Sequence, residues 1–173
     1  MNSSKTGARL LIDGYNLIGI QHANLEKKRG ELVGLLQAYR NNTGNEVTVV
    51  FDGWKNSASH LESRTVTGGI KVVYSRLGEK ADSVIKKILE KETGIILVSS
   101  DRELQNWAWS RGSVAVSSEL FETKLLSGRE KGPEKQDEYE EDEDDFSSQS
   151  RKTGNPRQPS KRQKALERAL KRL

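Results

Sequence analysis

Three short apolar runs in this chain each lead to an aspartate, and that repetition constrains the fold more than any other feature. Leu10, Leu11 and Ile12 precede Asp13, VTVVF precedes Asp52, and IILVSS precedes Asp101. Runs of this length, rich in Val, Ile and Leu and apolar on both faces near their ends, read as parallel strands covered on each side by helices. In open sheets of that kind, ligands bind outside the carboxyl ends of the strands. All three acids fall at those ends. In RLLIDGYN, Gly14 is expected to let the chain turn sharply after the first acid, and Asn16 stands where a helix or loop begins.

The remaining elements follow from periodicity and punctuation. Residues Asn24–Asn42 read as a helix, with Leu25, Leu32, Leu35, Leu36 and Tyr39 mostly three or four apart. The second strand runs Glu46–Asp52. Residues Gly53–Gly69 are polar, carry Gly and Ser, and read as a long loop, which inside a domain is usually functional or mobile. Ile70–Ser75 is the third strand. Glu79–Thr93 is helical, with Glu79 and Asp82 on one face of its first turn. Ile95–Ser99 is the fourth strand. Asp101 caps a helix through Arg111, Val114–Val116 is a fifth strand, and Ser118–Leu126 is a last helix with Ser118 as its cap. Alternation of this kind predicts an α/β fold with a mainly parallel sheet.

Composition divides the chain. Of 173 residues only 33% are hydrophobic, and the shortfall lies beyond Leu126. Residues 1–8 read as a flexible terminus, 9–126 as the folded domain, 127–159 as a disordered linker, and 160–173 as a basic tail. The linker holds DEYEEDEDD at 137–145, eight acids in nine residues. Residues 151–172 carry nine Lys or Arg against Glu167 alone. Blocks of like charge resist compaction. The end of the tail can still form a short helix, started by Ser160, with Leu166, Ala169, Leu170 and Leu173 on one face; alone it is too short to be stable and is expected to fold on a partner. The tail reads as an arginine-rich RNA-binding arm, and the acidic run is expected to fold back on that arm or on the basic rim of the cleft when RNA is absent. The net charge of +4 adds little to that expectation. With no cysteine, thiolate chemistry, disulfides and Cys-based zinc sites are excluded. No apolar run is long enough to cross a bilayer, and MNSSKTGAR lacks the apolar core of a signal peptide. The expected location is the cytoplasm, with no membrane partner.

Asp13, Asp52, Asp82 and Asp101 gathered in one cleft repel one another, at a cost of many kcal/mol if they are unpaired in a low-dielectric setting. A divalent cation removes that cost. Mg²⁺ or Mn²⁺ prefers carboxylate oxygens and keeps bound waters, which suits hydrolysis of a phosphodiester by water. Other chemistries have little to work with. The only histidines are His22 and His60, no P-loop occurs, and Tyr15 stands where a phosphoaspartyl enzyme would carry a second aspartate.

Four stretches taken in order, LLIDGYNLI, VTVVFDG, VVYSRLGEKADSVI and ILVSSDRELQNWA, resemble the NYN domain of the PIN-like nuclease superfamily, in its YacP-like branch. The resemblance covers residues 9–126. It implies a three-layer α/β/α sandwich, metal-dependent RNA cleavage, and ribosome-linked cleavage of mRNA. Carried over by position, Asp13, Asp82 and Asp101 are the metal-binding acids. Asp52 completes the acidic pocket, Asn16 orients a ligand or water, Glu79 is a further candidate, and Ser99 or Ser100 holds a metal-bound water or phosphate. The resemblance departs at one turn: relatives often carry an acid after the helix aspartate, where this chain has Ile85, Lys86 and Lys87.

A cleft that cuts RNA needs cations at its rim. Lys55, Arg64, Arg76, Lys80 and Arg102 follow strand-end acids or lie in the long loop, and are placed to meet phosphates. Trp54 and Tyr15 are candidates to stack on unpaired bases, whereas at least one of Trp107 and Trp109 belongs to the core. The leading expectation is therefore a metal-dependent endoribonuclease acting on single-stranded RNA or mRNA, with the ribosome as a partner. The alternative is an RNA- or ribosome-binding adaptor with a degenerate site, favoured by Lys86, Lys87 and the basic tail. A general phosphatase lacks its nucleophile motif.

Overall fold

A computed structural model describes residues 7–19, 24–53, 63–127 and 160–173. Its elements in chain order are β1 (Arg9–Asp13), α1 (Gly14–Ile18), α2 (Leu25–Thr43), β2 (Glu46–Phe51), β3 (Ser63–Thr67), β4 (Ile70–Tyr74), α3 (Ala81–Lys91), β5 (Ile96–Val98), α4 (Arg102–Ser110), β6 (Val114–Val116), α5 (Ser118–Ser127) and α6 (Lys161–Leu170). One six-stranded sheet has the order β3-β4-β2-β1-β5-β6. Every neighbouring pair is parallel except β3 with β4.

Strand alternation divides the apolar residues between two faces. Leu10, Ile12, Val47, Val49, Phe51, Val72, Ile96 and Val98 pack with Leu32, Leu36 and Tyr39 of α2 and Phe121 of α5. On the other face, Leu11, Val50, Val73 and Leu97 pack with Val84, Ile85 and Leu89 of α3 and Leu104 and Ala108 of α4. The result is the expected three-layer α/β/α sandwich. β1 lies mid-sheet. From it the chain steps outward through β2 to β4, then returns to place β5 and β6 on the other side. The carboxyl end of β1 is therefore a topological switch point, where helices on opposite faces diverge and leave a crevice. Asp13 stands there.

Four features differ from the sequence reading. The stretch read as one loop from Gly53 to Gly69 contains β3, which pairs antiparallel with β4 through a turn at Gly68 and Gly69, both at positive φ. β3 is an edge strand exposed along most of its length, so it lacks the apolar alternation that marks a half-buried strand. A five-residue helix, α1, begins immediately after Asp13. Third, α3 starts at Ala81, so Glu79 precedes the helix and does not share its first turn with Asp82.

The fourth concerns the tail. Helix α6 does have Ser160 as its cap, whose Oγ accepts from the backbone N–H of Gln163 at 3.2 Å. It packs on its own domain instead of waiting for a separate partner. Ala169 is buried in the α2–α5 face of the core, with Leu166, Leu170 and Leu173 against it. The Asn45 amide nitrogen donates to the carbonyl of Arg172 at 2.8 Å, and the Tyr39 hydroxyl donates to that of Leu173 at 3.0 Å. A helix too short to be stable alone is thus held by tertiary burial.

Candidate active site

The three strand-end aspartates share one local device. Asp13 caps α1, its Oδ1 accepting from Asn16 N–H at 3.2 Å. Asp101 caps α4, its Oδ1 accepting from Leu104 N–H at 2.8 Å. Asp52 reaches across to α3, where Lys80 provides no side-chain cap, and accepts from Ala81 N–H at 2.6 Å. Each carboxylate spends one oxygen on an unpaired N–H at a helix start, where the local dipole favours negative charge. The second oxygen of each is left for other partners. On Asp13 that oxygen receives only a long bond, 3.4 Å, from the Ser99 hydroxyl. The Ser99 hydroxyl itself accepts from Asp101 N–H at 3.2 Å and so ties two of the acids together.

Electrostatics place Asp82 in the same group. Burial is the main cause that raises the Asp13 carboxyl from its ordinary 3.8 to about 6; the charges of Asp82 and Asp52 raise it further, against the lowering effect of the Asn16 N–H and Ser99 bonds. Asp82 is also raised, first by burial, then by Asp101 and Asp52, with Lys80 and Lys86 opposing. Four carboxylates therefore share one field at the carboxyl edge of the sheet. Among the described residues no hydrogen bond holds the Asp82 carboxylate. As the side chains stand, no three acids or histidines among the described residues are grouped closely enough to hold a metal ion. The donor chemistry nevertheless suits a hard divalent cation: every group is a carboxylate oxygen, and the burdened member, Asp13, is only 7% exposed.

The other expected residues are distributed differently. The carbonyl oxygen of Asn16 accepts from Ser100 N–H at 2.7 Å and from the Ser118 hydroxyl at 2.6 Å, which pins the turn after β5 to the start of α5. Its amide nitrogen is not engaged within the described residues. Ser99 is fully buried, and the Ser100 hydroxyl donates to Glu119 at 2.7 Å. Glu79 stands apart from the four aspartates, paired with Lys87 and Arg76, and these cations, Lys87 foremost, hold it below the usual carboxylate range. Arg76 is thereby engaged. Lys80 and Arg102 are exposed at the helix starts that flank the acids. Arg64 lines a separate groove of about 320 Å³ with Arg9, Glu46 and Lys71, toward the starts of the strands. Trp54 and Lys55 lie outside the described residues, as do His22 and His60.

Tyr15 is not a base-stacking platform. It is 5% exposed, packed edge-on against Phe51 at 5.4 Å between ring centres. Trp107 and Trp109 are both partly buried against the α3–α4 face. Two contributors, Ser118 as a partner of Asn16 and Glu119, are not evident from the sequence. Ser118 was read as a helix cap but donates to Asn16, while Ser117 Oγ accepts from Leu120 N–H. Glu119 anchors Ser100. Lys86 pairs with Glu103, lies 5.4 Å from the Trp107 ring centre, and is influenced by Asp82 and Asp101. Lys86 is marked in the sequence by its position one turn after Asp82, where relatives often carry an acid. A groove of about 950 Å³ between α2, α5 and Leu173 holds none of the four aspartates, which stand at the sheet edge.

Residues 10–167 match the family described as the YacP-like NYN domain. No curated protein matches the chain. Two crystal structures of Rae1 (YacP) from Bacillus subtilis are similar to it. One, of a tryptophan-to-leucine mutant, is 26% identical with a TM-score of 0.57, covering 70% of this chain and 77% of that one. The other is 27% identical with a TM-score of 0.55, covering 69% and 74%.

Proposed function

The chain belongs to the YacP-like NYN domain family, and on that footing we propose that it is a metal-dependent endoribonuclease that hydrolyses RNA phosphodiesters at the cleft of Asp13, Asp52, Asp82 and Asp101. One observation carries the proposal: four carboxylates act on one another electrostatically at the carboxyl edge of the sheet, and burial together with the charges of Asp82 and Asp52 raises Asp13 to about 6. Carboxylates that face one another raise each other's pKa, and acids perturbed in this way cluster at functional sites.

Asp13, Asp82 and Asp101 would hold Mg²⁺ or Mn²⁺, with Asp52 completing the pocket. When bound, the ion lowers the pKa of a water and stabilises charge on the phosphate. The chain's own residues prepare that chemistry. Helix starts fix one oxygen of Asp13, Asp52 and Asp101. Asp82, which has no hydrogen bond among the described residues, is free to turn toward an ion. Asn16 holds the β5 and α5 turns in register and offers its amide nitrogen to a phosphate or water. Lys80 and Arg102 flank the acids and meet the RNA backbone. Single-stranded RNA, in particular mRNA at the ribosome, is the proposed substrate, on the strength of the family resemblance.

A second reading is favoured by Lys86, whose ammonium influences two of the acids. In it the chain binds RNA as an adaptor and has lost efficient cleavage. Incubating single-stranded RNA with the wild type, Asp13→Asn and Asp101→Asn, with Mn²⁺, Mg²⁺ or excess chelator, separates the two. Metal-dependent cutting abolished by both substitutions supports the nuclease. Binding without cutting, unchanged in both variants, supports the adaptor.

A further inference from the structure

Helix α6 carries a feature that its docking does not explain. Its apolar side, Leu166, Ala169 and Leu170, faces the core. On the opposite side stand Lys161, Lys164, Arg168 and Lys171, at spacings of three, four and three, so they form one stripe along the helix. All four are exposed, and none forms an ion pair with a described residue. Neighbouring like charges at these spacings each destabilise a helix by a few tenths of a kcal/mol. Glu167, three residues from Lys164 and four from Lys171, is the one acid of the helix and offsets only part of this repulsion.

We propose that this stripe is a second RNA-binding site, one that grips the phosphate backbone of folded, double-helical RNA. Three observations point to that occupant. The stripe is straight and rigid, about 15 Å long from the helical rise, and has no aromatic residue on it, so it suits backbone contact and not base stacking. Its helix is fixed to the domain at both ends: Arg162 lies over the Trp109 ring at 5.5 Å, and the carbonyls of Arg172 and Leu173 are bound by Asn45 and Tyr39. Its location is the third. Asn45 stands just before β2 and accepts from Ala8 N–H just before β1 at 2.7 Å, so the chain end that closes α6 is anchored at the strand starts, the edge opposite the four aspartates. One RNA that engages both sites must pass around the sheet. The inference rests on the proposed RNA-directed function and assigns it a substrate context.

The test uses the full chain carrying Asp13→Asn, which blocks cutting, with and without Lys161→Gln, Lys164→Gln, Arg168→Gln and Lys171→Gln together. Binding to an RNA hairpin duplex is measured over a series of KCl concentrations. The expected result is at least a tenfold loss of duplex affinity near physiological salt. The dependence of log K on log salt should become shallower by about 2 to 3, since each lost duplex contact contributes about 0.9. A variant carrying Lys161→Arg, Lys164→Arg and Lys171→Arg should keep both affinity and slope. With Asp13 intact, the four Gln substitutions should leave cleavage of a short single-stranded RNA within about twofold, because that substrate reaches only the cleft. An unchanged duplex slope overturns the inference. So does loss of binding to anionic phospholipid vesicles with duplex binding intact, which would assign the stripe to a membrane surface. Failure to cut any RNA contradicts the nuclease proposal alone, since the duplex slope is read on an uncut RNA.

Discussion

Asp13 is the residue on which protonation and stability meet. Its folded carboxyl titrates at about 6 against an ordinary 3.8. A folded-state value above the unfolded one means that the native state binds the proton more tightly. Stability therefore falls as pH rises from about 4 to about 6, and the full penalty is present at pH 7. The difference corresponds to roughly 3 kcal/mol at neutral pH. Asparagine in this place keeps an oxygen to accept from Asn16 N–H and removes the buried charge. Asp13→Asn is expected to unfold at higher temperature than the wild type at pH 7, with the gap closing below pH 4; melting curves across pH check this. A second residue-scale outcome concerns Lys86. Its ammonium competes with any ion for Asp82 and Asp101, so Lys86→Gln is expected to tighten Mn²⁺ binding by a factor of a few, seen by direct titration. Unchanged or weaker affinity would show that Lys86 does not face the ion.

At the scale of elements, two glycines have opposite demands. Gly14 opens α1 without a positive φ; it is required because a Cβ there would lie 2.2 Å from the fully buried Phe51 ring. The expected turn freedom was the wrong reason for a glycine that close packing requires. Gly14→Ala should cost about 2 to 3 kcal/mol, as overpacking does. In α2, a Cβ on Gly30 meets nothing within 4 Å, and Gly30→Ala should stabilise by about 0.5 to 1 kcal/mol. Urea denaturation of both variants tests the contrast. The central strands were legible because burial on both faces makes them continuous apolar runs, and the acids were legible because they end those runs. β3 was not, because an exposed edge strand has no buried face to write into its sequence. The contact of Asn16 with Ser100 and Ser118 was equally hidden, since it joins groups 84 and 102 positions apart. Tyr15 misled because its position beside an acid says nothing about Phe51 behind it.

The described residues form one sandwich, closed by a helix from the far end of the chain. The apolar face of α6 could be read from its spacing, but not the surface that receives it, which is assembled from α2, α5 and β6. Asn45, 3% exposed, joins these parts: it accepts from Ala8 N–H and donates to the Tyr39 hydroxyl and the Arg172 carbonyl. Asn45→Ala strands several buried polar groups and should cost about 3 kcal/mol, measurable as a lower denaturation midpoint. Among the described residues no helix is long and apolar enough to cross a membrane. With α6 docked at the strand starts and the aspartates at the strand ends, the molecule presents a basic stripe and an acidic cleft at opposite edges of one sheet. The claim that this cleft is a metal centre is tested most directly by titrating Mn²⁺ into the wild type and into Asp13→Asn, Asp82→Asn and Asp101→Asn at pH 7. Saturable binding to the wild type that is lost or weakened at least tenfold in each variant is the predicted result. Binding equal in all four proteins, or absent from the wild type even with uncleavable RNA bound, would contradict it.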